Sequence, residues 1–123
     1  MNDKKIVIVD DERNLCLLIK NILGPLTGAL FFMAHDGIQG KKICLEVLPD
    51  LVFLDFIMPE ERGDKVLEFL KKGALTKKIP VVLMSGLAEP KEDNFEEGIF
   101  YMPKPFTRKV LIEVTAKIIG KFQ

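Results

Sequence analysis

Leu51-Val52-Phe53-Leu54-Asp55 is the stretch of sequence that decides the fold class of this chain. Four consecutive apolar residues are typical of a strand that is buried on both faces, and such strands occur in parallel sheets covered by helices on both sides. The apolar run stops abruptly at Asp55, so we expect a carboxylate at the end of this strand. The same arrangement, an apolar run that ends in polar residues, recurs in both directions along the chain.

Short apolar runs alternate with longer amphipathic segments from one end of the chain to the other. The predicted strands, in chain order, cover residues 6–9, 30–34, 51–54, 81–84 and 99–102. Apolar residues three and four positions apart predict helices between most of them. Gly24-Pro25 predicts the end of the first helix, Asp36 is the predicted N-cap of the second, and Thr107 that of the last. We therefore predict an α/β fold, a doubly wound five-stranded parallel sheet with helices on both faces.

The region between the fourth and fifth strands is the least regular part of this pattern. The segment from Ala88 to Gly98 contains Pro90 and five acidic residues, and Phe95 is its apolar anchor. A short fourth helix and a plain loop are both compatible with this composition. We therefore expect the fourth helix to be short or irregular.

Size and composition describe one globular domain, residues 1–123. With 48% hydrophobic and 29% charged residues, the chain is typical neither of disordered nor of membrane-spanning proteins. Its 18 basic and 18 acidic residues cancel, which argues against nucleic-acid or membrane binding through this domain. Because we find no signal peptide and no apolar run of membrane-spanning length, we expect a cytoplasmic protein.

Cys16, Cys44 and His35 do not form a recognisable metal or disulfide pattern. The two cysteines stand far apart in the sequence, and the single histidine has no companion ligand. We expect two reduced, partly buried thiols and a histidine in a surface loop.

Polar residues that can carry chemistry follow four of the five predicted strands. The first strand ends in Asp10-Asp11, the third in Asp55 and the fourth in Ser85-Gly86, and the fifth leads to Lys104. Ligands of open parallel sheets bind at this edge of the sheet. Three carboxylates that meet there repel one another, which a divalent cation would relieve, and Mg²⁺ prefers such oxygen ligands.

The same residues suit phosphoryl transfer. A carboxylate can act as a nucleophile and form an aspartyl-phosphate, and the transfer then needs mainly positioning and neutralisation of charge. Lys104 would supply a positive charge beside the metal. The Ser85 hydroxyl and the Gly86 main-chain N–H would donate hydrogen bonds to phosphoryl oxygens.

These motifs give the whole chain a resemblance to the receiver domains of bacterial two-component response regulators. The motifs are Asp10-Asp11, the stretch from Asp55 to Pro59 with Gly63, Ser85-Gly86, and Lys104-Pro105-Phe106. The resemblance implies a flavodoxin-like strand order of 2-1-3-4-5 and a phosphorylation-dependent switch rather than an enzyme. It also implies a sensor histidine kinase or phosphotransfer protein as the donor and a further, unknown protein downstream.

The resemblance also implies roles for individual residues. Asp55 would be the phosphoacceptor, Asp11 a direct Mg²⁺ ligand and Asp10 a ligand acting largely through water. The main-chain carbonyl of Ile57 would complete the protein ligands. Ser85 and Tyr101 would form the switch, in which the hydroxyl moves toward the phosphoryl group and the aromatic ring turns inward. The Lys104–Pro105 bond would be cis, as is usual in the family.

Several alternatives remain open on the sequence alone. A phosphatase of the dehalogenase type also uses an aspartate nucleophile, but it places a second acid two residues later, where this chain has Ile57. A flavin or nucleotide binder of this fold would need a phosphate loop after the first strand, where this chain has acids. A degenerate receiver that only binds proteins is the third alternative, since the interval from Ser85 to Lys104 is shorter than usual. Asp10-Asp11-Glu12 could also simply cap the first helix, and Tyr101 could be an ordinary aromatic on an edge strand.

Overall fold

The computed structural model describes residues 4–58, 61–86 and 92–120. The strands are β1 (Lys5–Val9), β2 (Leu30–Ala34), β3 (Leu51–Asp55), β4 (Val81–Ser85) and β5 (Ile99–Pro103). The helices are α1 (Arg13–Thr27), α2 (Gly37–Val47), α3 (Gly63–Lys72) and α4 (Arg108–Ile119). Each strand lies on one of the apolar runs in the sequence, which confirms the predicted strands.

All neighbouring strands of the sheet run parallel, in the order β2-β1-β3-β4-β5. This order confirms the one implied by the sequence resemblance. Because β1, β3 and β4 are interior strands, their carboxyl ends lie side by side in the middle of one edge of the sheet. The residues that follow these strands are therefore brought together.

The sheet is covered on both faces because its side chains alternate between two hydrophobic clusters. Ile6 and Ile8 of β1 belong to the cluster that includes buried residues of α1 and α4. Val7 and Val9 belong to the opposite cluster, with buried residues of α2 and α3. Because both faces of the sheet are buried against helices, the interior strands are apolar at nearly every position. The fold therefore has three layers, with the sheet between two layers of helices.

Helix α1 is longer than the sequence predicted, since Pro25 lies inside it and the helix continues to Thr27. Proline removes the N–H that would bond four residues back and usually ends a helix. Here other donors hold the last turn. The Thr27 hydroxyl donates to the Leu23 carbonyl at 2.8 Å, and the N–H of Gly28, which adopts a left-handed conformation, donates to the Gly24 carbonyl at 2.9 Å.

Helix α2 lies close to β1, and a glycine allows this approach. A Cβ atom at Gly40 would lie 2.7 Å from Cγ1 of Val9. Glycine lowers the intrinsic stability of a helix by about 1 kcal/mol. The close packing on β1 explains why a glycine stands there despite this cost.

The described residues between β4 and β5 contain no helix. Asn94 forms an antiparallel bridge with Ile99, and residues 95–98 make a turn in which Gly98 has φ +68°. This part of the chain confirms the expectation of an irregular connection. Pro90 and Ala88, on which the expectation also depended, lie outside the described residues, as does Pro59.

Cys16 and Cys44 are both buried free thiols, as expected. Burial raises the pKa of Cys16 to about 11 and that of Cys44 to about 12, so both remain protonated at neutral pH. Among the described residues, none of the helices has the length and apolar character needed to cross a membrane.

Candidate functional site

An open cleft of about 410 Å³ lies at the edge of the sheet where the strands end. Its lining includes residues that directly follow β1, β3, β4 and β5. They are Asp11, Glu12, Asp55, Phe56, Ile57, Ser85, Gly86 and Lys104. Asp10 lies just behind this surface and is fully buried.

Asp10, Asp11 and Asp55 form a compact acidic set. One carboxylate oxygen from each residue lies within 4.8 Å of the others, so the three could hold a single metal ion together. Asp10 and Asp55 are buried and Asp11 is exposed. The set therefore combines two buried carboxylates with one that is exposed to solvent.

Burial strongly affects the ionisation of both inner carboxylates. Desolvation, followed by the negative charge of Asp10, raises the pKa of Asp55 to about 6, although the Lys104 ammonium acts in the opposite direction. Desolvation also raises the pKa of Asp10 above its ordinary value, against hydrogen bonds from the Glu12 main chain and from Lys104. A cation in the cleft would relieve this repulsion.

Lys104 is the positive group of the cleft. Its Nζ atom lies 3.1 Å from Oδ2 of Asp10, 3.0 Å from Oε1 of Glu12 and 3.5 Å from Oδ2 of Asp55. Burial alone would lower the pKa of the ammonium. Hydrogen bonds to Glu12 and Asp10, and the charges of Asp10 and Asp55, outweigh this effect and raise the pKa. The Lys104–Pro105 peptide bond is cis, as the family resemblance implied.

The main chain of Asp55 is held from the side of α3. The N–H of Gly63 donates to the Phe56 carbonyl at 2.8 Å. A Cβ atom at Gly63 would collide with the Asp55 carbonyl oxygen and lie 2.7 Å from the Cα atom of Phe56. Glycine is therefore required for this approach, which fixes the backbone immediately after the proposed nucleophile.

Ser85, Gly86 and Ile57 also lie where the sequence placed them, on the wall of the cleft. Ser85 ends β4, and its carbonyl accepts a hydrogen bond from the main-chain N–H of Lys104 at 2.8 Å. Ile57 directs its main-chain N–H toward Oδ1 of Asp55 at 3.4 Å. The three residues thus line the same cleft as the Asp55 carboxylate.

Tyr101 is a candidate residue that does not line the cleft. It lies on β5, partly buried against the hydrophobic cluster of α2 and α3. Its main-chain N–H donates to Oδ1 of Asp93 at 3.0 Å. The predicted switch role of Tyr101 therefore stays a prediction.

Two contacts of the site could not be predicted from the sequence. Glu12 occupies the N-cap position of α1, but its side chain makes no capping hydrogen bond and instead pairs with Lys104. The acidic triplet is therefore not an ordinary helix cap. His35 lies in the loop expected for it but is half-buried, and its Nδ1 atom lies 3.0 Å from the Asp10 carbonyl oxygen. His35 thus lies in a loop, as expected, and in addition contacts the main chain of Asp10.

Comparison with known proteins agrees with this geometry. A family model described as the response regulator receiver domain matches residues 6–116. The transcriptional regulatory protein CpxR of Escherichia coli is 33% identical over 111 residues, which cover 88% of this chain and 46% of CpxR. The DNA-binding transcriptional regulator RpaA of Synechocystis is 31% identical over 105 residues, or 83% of this chain and 43% of RpaA. The chain spans less than half the length of these two relatives.

Solved structures show the same fold. The chemotaxis response regulator CheY4 of Vibrio cholerae matches with a TM-score of 0.84 at 19% identity, over 96% of this chain and 100% of that one. The receiver domain of a sensor histidine kinase from Pseudomonas aeruginosa, solved with a magnesium ion coordinated in its active site cleft, matches with a TM-score of 0.82 at 21% identity. That match covers 97% of this chain and 99% of the other. This chain belongs to the response regulator receiver domain family, whose members are phosphoacceptor signalling switches of two-component systems.

Proposed function

We propose that Asp55 is the phosphoacceptor of this receiver domain and that Mg²⁺ is its cofactor. The donor is a sensor histidine kinase or a phosphotransfer protein, and the receiver domain comprises residues 1–123. Phosphorylation changes a surface that a downstream protein binds. The observation that carries the proposal is the convergence of Asp10, Asp11 and Asp55 within 4.8 Å beside the Lys104 ammonium.

The residues of the cleft suit a magnesium ion. Their carboxylate oxygens are hard ligands of the kind that Mg²⁺ prefers. Two of the three carboxyl groups, those of Asp10 and Asp55, are buried and have a raised pKa. The open cleft leaves room for water and a phosphoryl oxygen. Asp11 and Asp55 would hold the ion directly together with the Ile57 carbonyl, and Asp10 would act largely through water. Once bound, the ion supplies positive charge that neutralises the phosphoryl oxygens.

Asp55 provides the nucleophile. One oxygen of its carboxylate attacks phosphorus while the bond from phosphorus to the donor's imidazole nitrogen breaks, and that bonding electron pair leaves with the donor. The attacking group must be ionised. With a pKa of about 6, the carboxyl is largely ionised at neutral pH, and a neighbouring cation increases that fraction.

Lys104, Ser85 and Gly86 stabilise the group that is transferred. The Lys104 ammonium already lies 3.5 Å from Asp55 Oδ2, within reach of an oxygen on the new phosphoryl group. Ser85 and Gly86 also line the cleft and would supply a hydroxyl and a main-chain N–H. Charge-assisted hydrogen bonds of this kind are stronger than neutral ones.

Ser85 and Tyr101 would convert the chemical change into a change of surface. Movement of the Ser85 hydroxyl toward the phosphoryl group would allow the Tyr101 ring to turn inward from its half-buried position on β5. To shift such a two-state equilibrium from 1:99 to 99:1 requires about 5.5 kcal/mol of differential stabilisation. The face formed by β5, α4 and residues 92–98 is where a downstream protein would detect it.

Intact-mass measurement tests the proposal directly. We expect wild-type protein incubated with a small acyl phosphate or phosphoramidate to gain the mass of one phosphoryl group when Mg²⁺ is present and much less when it is chelated. Asp55→Asn should gain none. Asp64→Asn, which makes the same change in an exposed surface ion pair with Arg62, is the matched control and should behave as wild type.

The opposite result would favour a different function. If wild type gains no phosphoryl group with any donor, or Asp55→Asn gains as much as wild type, the phosphoacceptor assignment is wrong. In the first case the chain would be a receiver domain that acts only by binding proteins, and in the second another residue would accept the phosphoryl group.

A further inference from the structure

The carbonyl of Asp10 lies where the pairing of β1 with β2 ends. The main-chain N–H of Asp10 donates to the Ala34 carbonyl at 3.0 Å, and the N–H of Leu30 donates to the Lys4 carbonyl at the other end. In a parallel ladder the bonds continue in steps of two residues. The next donor, to the Asp10 carbonyl, would be the main-chain N–H of Asp36.

Asp36 has left the sheet at this point, because it is the N-cap of α2 and its side chain accepts from the Gln39 N–H at 2.8 Å. The imidazole of His35 lies where the ladder donor is needed, with Nδ1 3.0 Å from the Asp10 oxygen. A carbonyl oxygen can only accept, so Nδ1 carries the proton and donates. The Cys16 thiol approaches the same oxygen at 3.5 Å but is a weak donor.

His35 is itself held in place by the start of α2. Its main-chain N–H donates to Oε1 of Gln39 at 3.2 Å. Gln39 therefore contacts both residues that precede the helix, in an arrangement close to a capping box. The main chain of His35 is therefore held by the local structure of the β2–α2 loop.

We infer that His35 is a positioning residue for the magnesium site, acting through the Asp10–Asp11 peptide. The carbonyl that it binds belongs to this peptide, so the hydrogen bond fixes the plane from which the Asp11 side chain projects. The Asp10 side chain is fixed independently by the Glu12 N–H at 2.8 Å and by Lys104. The position of the exposed Asp11 carboxylate depends most on the backbone. The side chains of Asp10 and Asp55 are held by hydrogen bonds or ion pairs, whereas the described contacts include none of this kind for the Asp11 side chain.

The inference rests on the proposed function, because it concerns the metal on which phosphorylation depends. Groups that orient metal ligands without touching the metal typically contribute about 10- to 100-fold in affinity. Because His35 contacts the main chain rather than a ligand side chain, we expect its effect on affinity to lie at the lower end of this range. We expect about a tenfold weaker affinity for Mg²⁺ when the donor is removed.

Titration with Mg²⁺ alone, followed by calorimetry or by amide chemical shifts, tests this without any phosphodonor. His35→Ala removes the donor and should weaken Mg²⁺ binding about tenfold. His35→Asn keeps an N–H donor at the position of Nδ1, one bond from Cγ, and should restore most of the affinity. In phosphorylation assays His35→Ala should need more Mg²⁺ for half-maximal rate, yet reach a near-normal rate at saturation.

Lys71→Met is the control for a purely structural effect, since Lys71 supports carbonyls of the α3–β4 connection rather than the cleft. It should lower stability and leave Mg²⁺ affinity unchanged. The inference is overturned if His35→Ala binds Mg²⁺ as wild type does, or if His35→Asn is as defective as His35→Ala. If wild type itself binds no Mg²⁺, the proposed cofactor is wrong and this inference falls with it. If the Mg²⁺ affinities of wild type and both His35 variants are as expected but the protein is not phosphorylated, only the phosphoacceptor assignment is contradicted.

Discussion

Oδ2 of Asp55 lies 3.5 Å from Nζ of Lys104, yet the pKa of the Asp55 carboxyl is raised to about 6. One ammonium shared among Asp10, Glu12 and Asp55 does not offset the desolvation of a carboxyl that is only 5% exposed. The cleft is therefore left with excess negative charge. This imbalance would favour binding of a cation, and we expect it to make the stability of the protein depend on pH.

Without divalent ions, we expect the free energy of unfolding to fall as the pH rises from about 4 to about 7. The pKa of Asp55 is higher in the folded state than in the unfolded state, where it is about 4, so the folded state binds more protons across this interval. A shift of about two units corresponds to at most about 3 kcal/mol. Urea unfolding at several pH values measures the slope.

Asp55→Asn should flatten this pH dependence and raise stability near pH 7, because it removes the buried charge. Asp64→Asn, at the surface, should leave the slope unchanged. Mg²⁺ at neutral pH should stabilise wild type more than Asp55→Asn, since a ligand of the folded state stabilises it by mass action. Equal slopes in wild type and Asp55→Asn would show that Asp55 does not carry the effect.

Gly63→Ala should impair both stability and phosphorylation. The new methyl group would collide with the Asp55 carbonyl oxygen and crowd the Cα atom of Phe56, neither of which can move without shifting Asp55. Overpacking of this kind costs about 1–3 kcal/mol. Unfolding titrations and the rate of phosphoryl gain should both show the loss.

Gly24→Ala is the matched control for that substitution. Gly24 lies within helix α1, and apart from its neighbours in the chain its Cβ atom would approach a Phe31 ring atom at 4.0 Å. Alanine favours helix over glycine by about 1 kcal/mol, whereas Pro25 disfavours the helical conformation for a preceding residue with a Cβ atom. These two effects oppose each other, so we expect Gly24→Ala to change stability by no more than about 1 kcal/mol. If Gly63→Ala were equally harmless, the close approach of α3 to Asp55 would not constrain the site.

The strands and most of the cleft could be predicted from the sequence because each apolar run stops where its strand stops. The burial of β3 on both faces requires an unbroken run from Leu51 to Leu54, and Asp55 is the first residue free to be polar. In a parallel sheet these stopping points share one edge. Residues distant in sequence, such as Asp10 and Lys104, could therefore be placed together without a structure.

Contacts that depend on the path of a loop could not be predicted in this way. The hydrogen bond from His35 to the Asp10 carbonyl requires β2 to end before His35 and the imidazole ring to turn back toward β1. Hydrophobic periodicity predicts neither feature. The extension of α1 beyond Pro25 depends on Thr27 and Gly28, two donors whose targets become known only in the fold. Helix and strand propensities describe single residues, whereas the His35 contact and the extension of α1 depend on tertiary packing.

Lys71→Met should destabilise the protein by about 1–3 kcal/mol. The Lys71 ammonium donates to the carbonyls of Ile79 at 2.7 Å and Lys77 at 3.2 Å, so its removal leaves acceptors at the α3–β4 connection without this donor. Burial lowers the pKa of Lys71, with Glu97 acting against this. Lys72→Met, which breaks only an exposed pair with Glu68, should cost about 0.5 kcal/mol or less. Similar losses in thermal unfolding for the two variants would refute a special role for Lys71.

Asp93→Ala should open the outer edge of the sheet at β5. The outward N–H groups of this edge strand are satisfied by the Asn94 carbonyl at Ile99 and by Asp93 Oδ1 at Tyr101, and Pro103 has no N–H to offer. Without the carboxylate, the Tyr101 N–H loses its acceptor, so we expect its hydrogen exchange to accelerate about tenfold, which corresponds to about 1.4 kcal/mol.

The ion pair between Asp93 and Lys117 must be separated from this effect. Oδ2 of Asp93 lies 2.9 Å from Nζ of Lys117, whose side chain is 42% exposed. Lys117→Met removes the pair and keeps the bond to Tyr101, so it should change the exchange of the Tyr101 N–H little, because exposed pairs contribute at most about 1 kcal/mol. Acceleration of the same size in both variants would mean that the ion pair, rather than the hydrogen bond to β5, holds residues 92–98 against the sheet. In that case Asp93 would protect the edge only by anchoring the segment to α4.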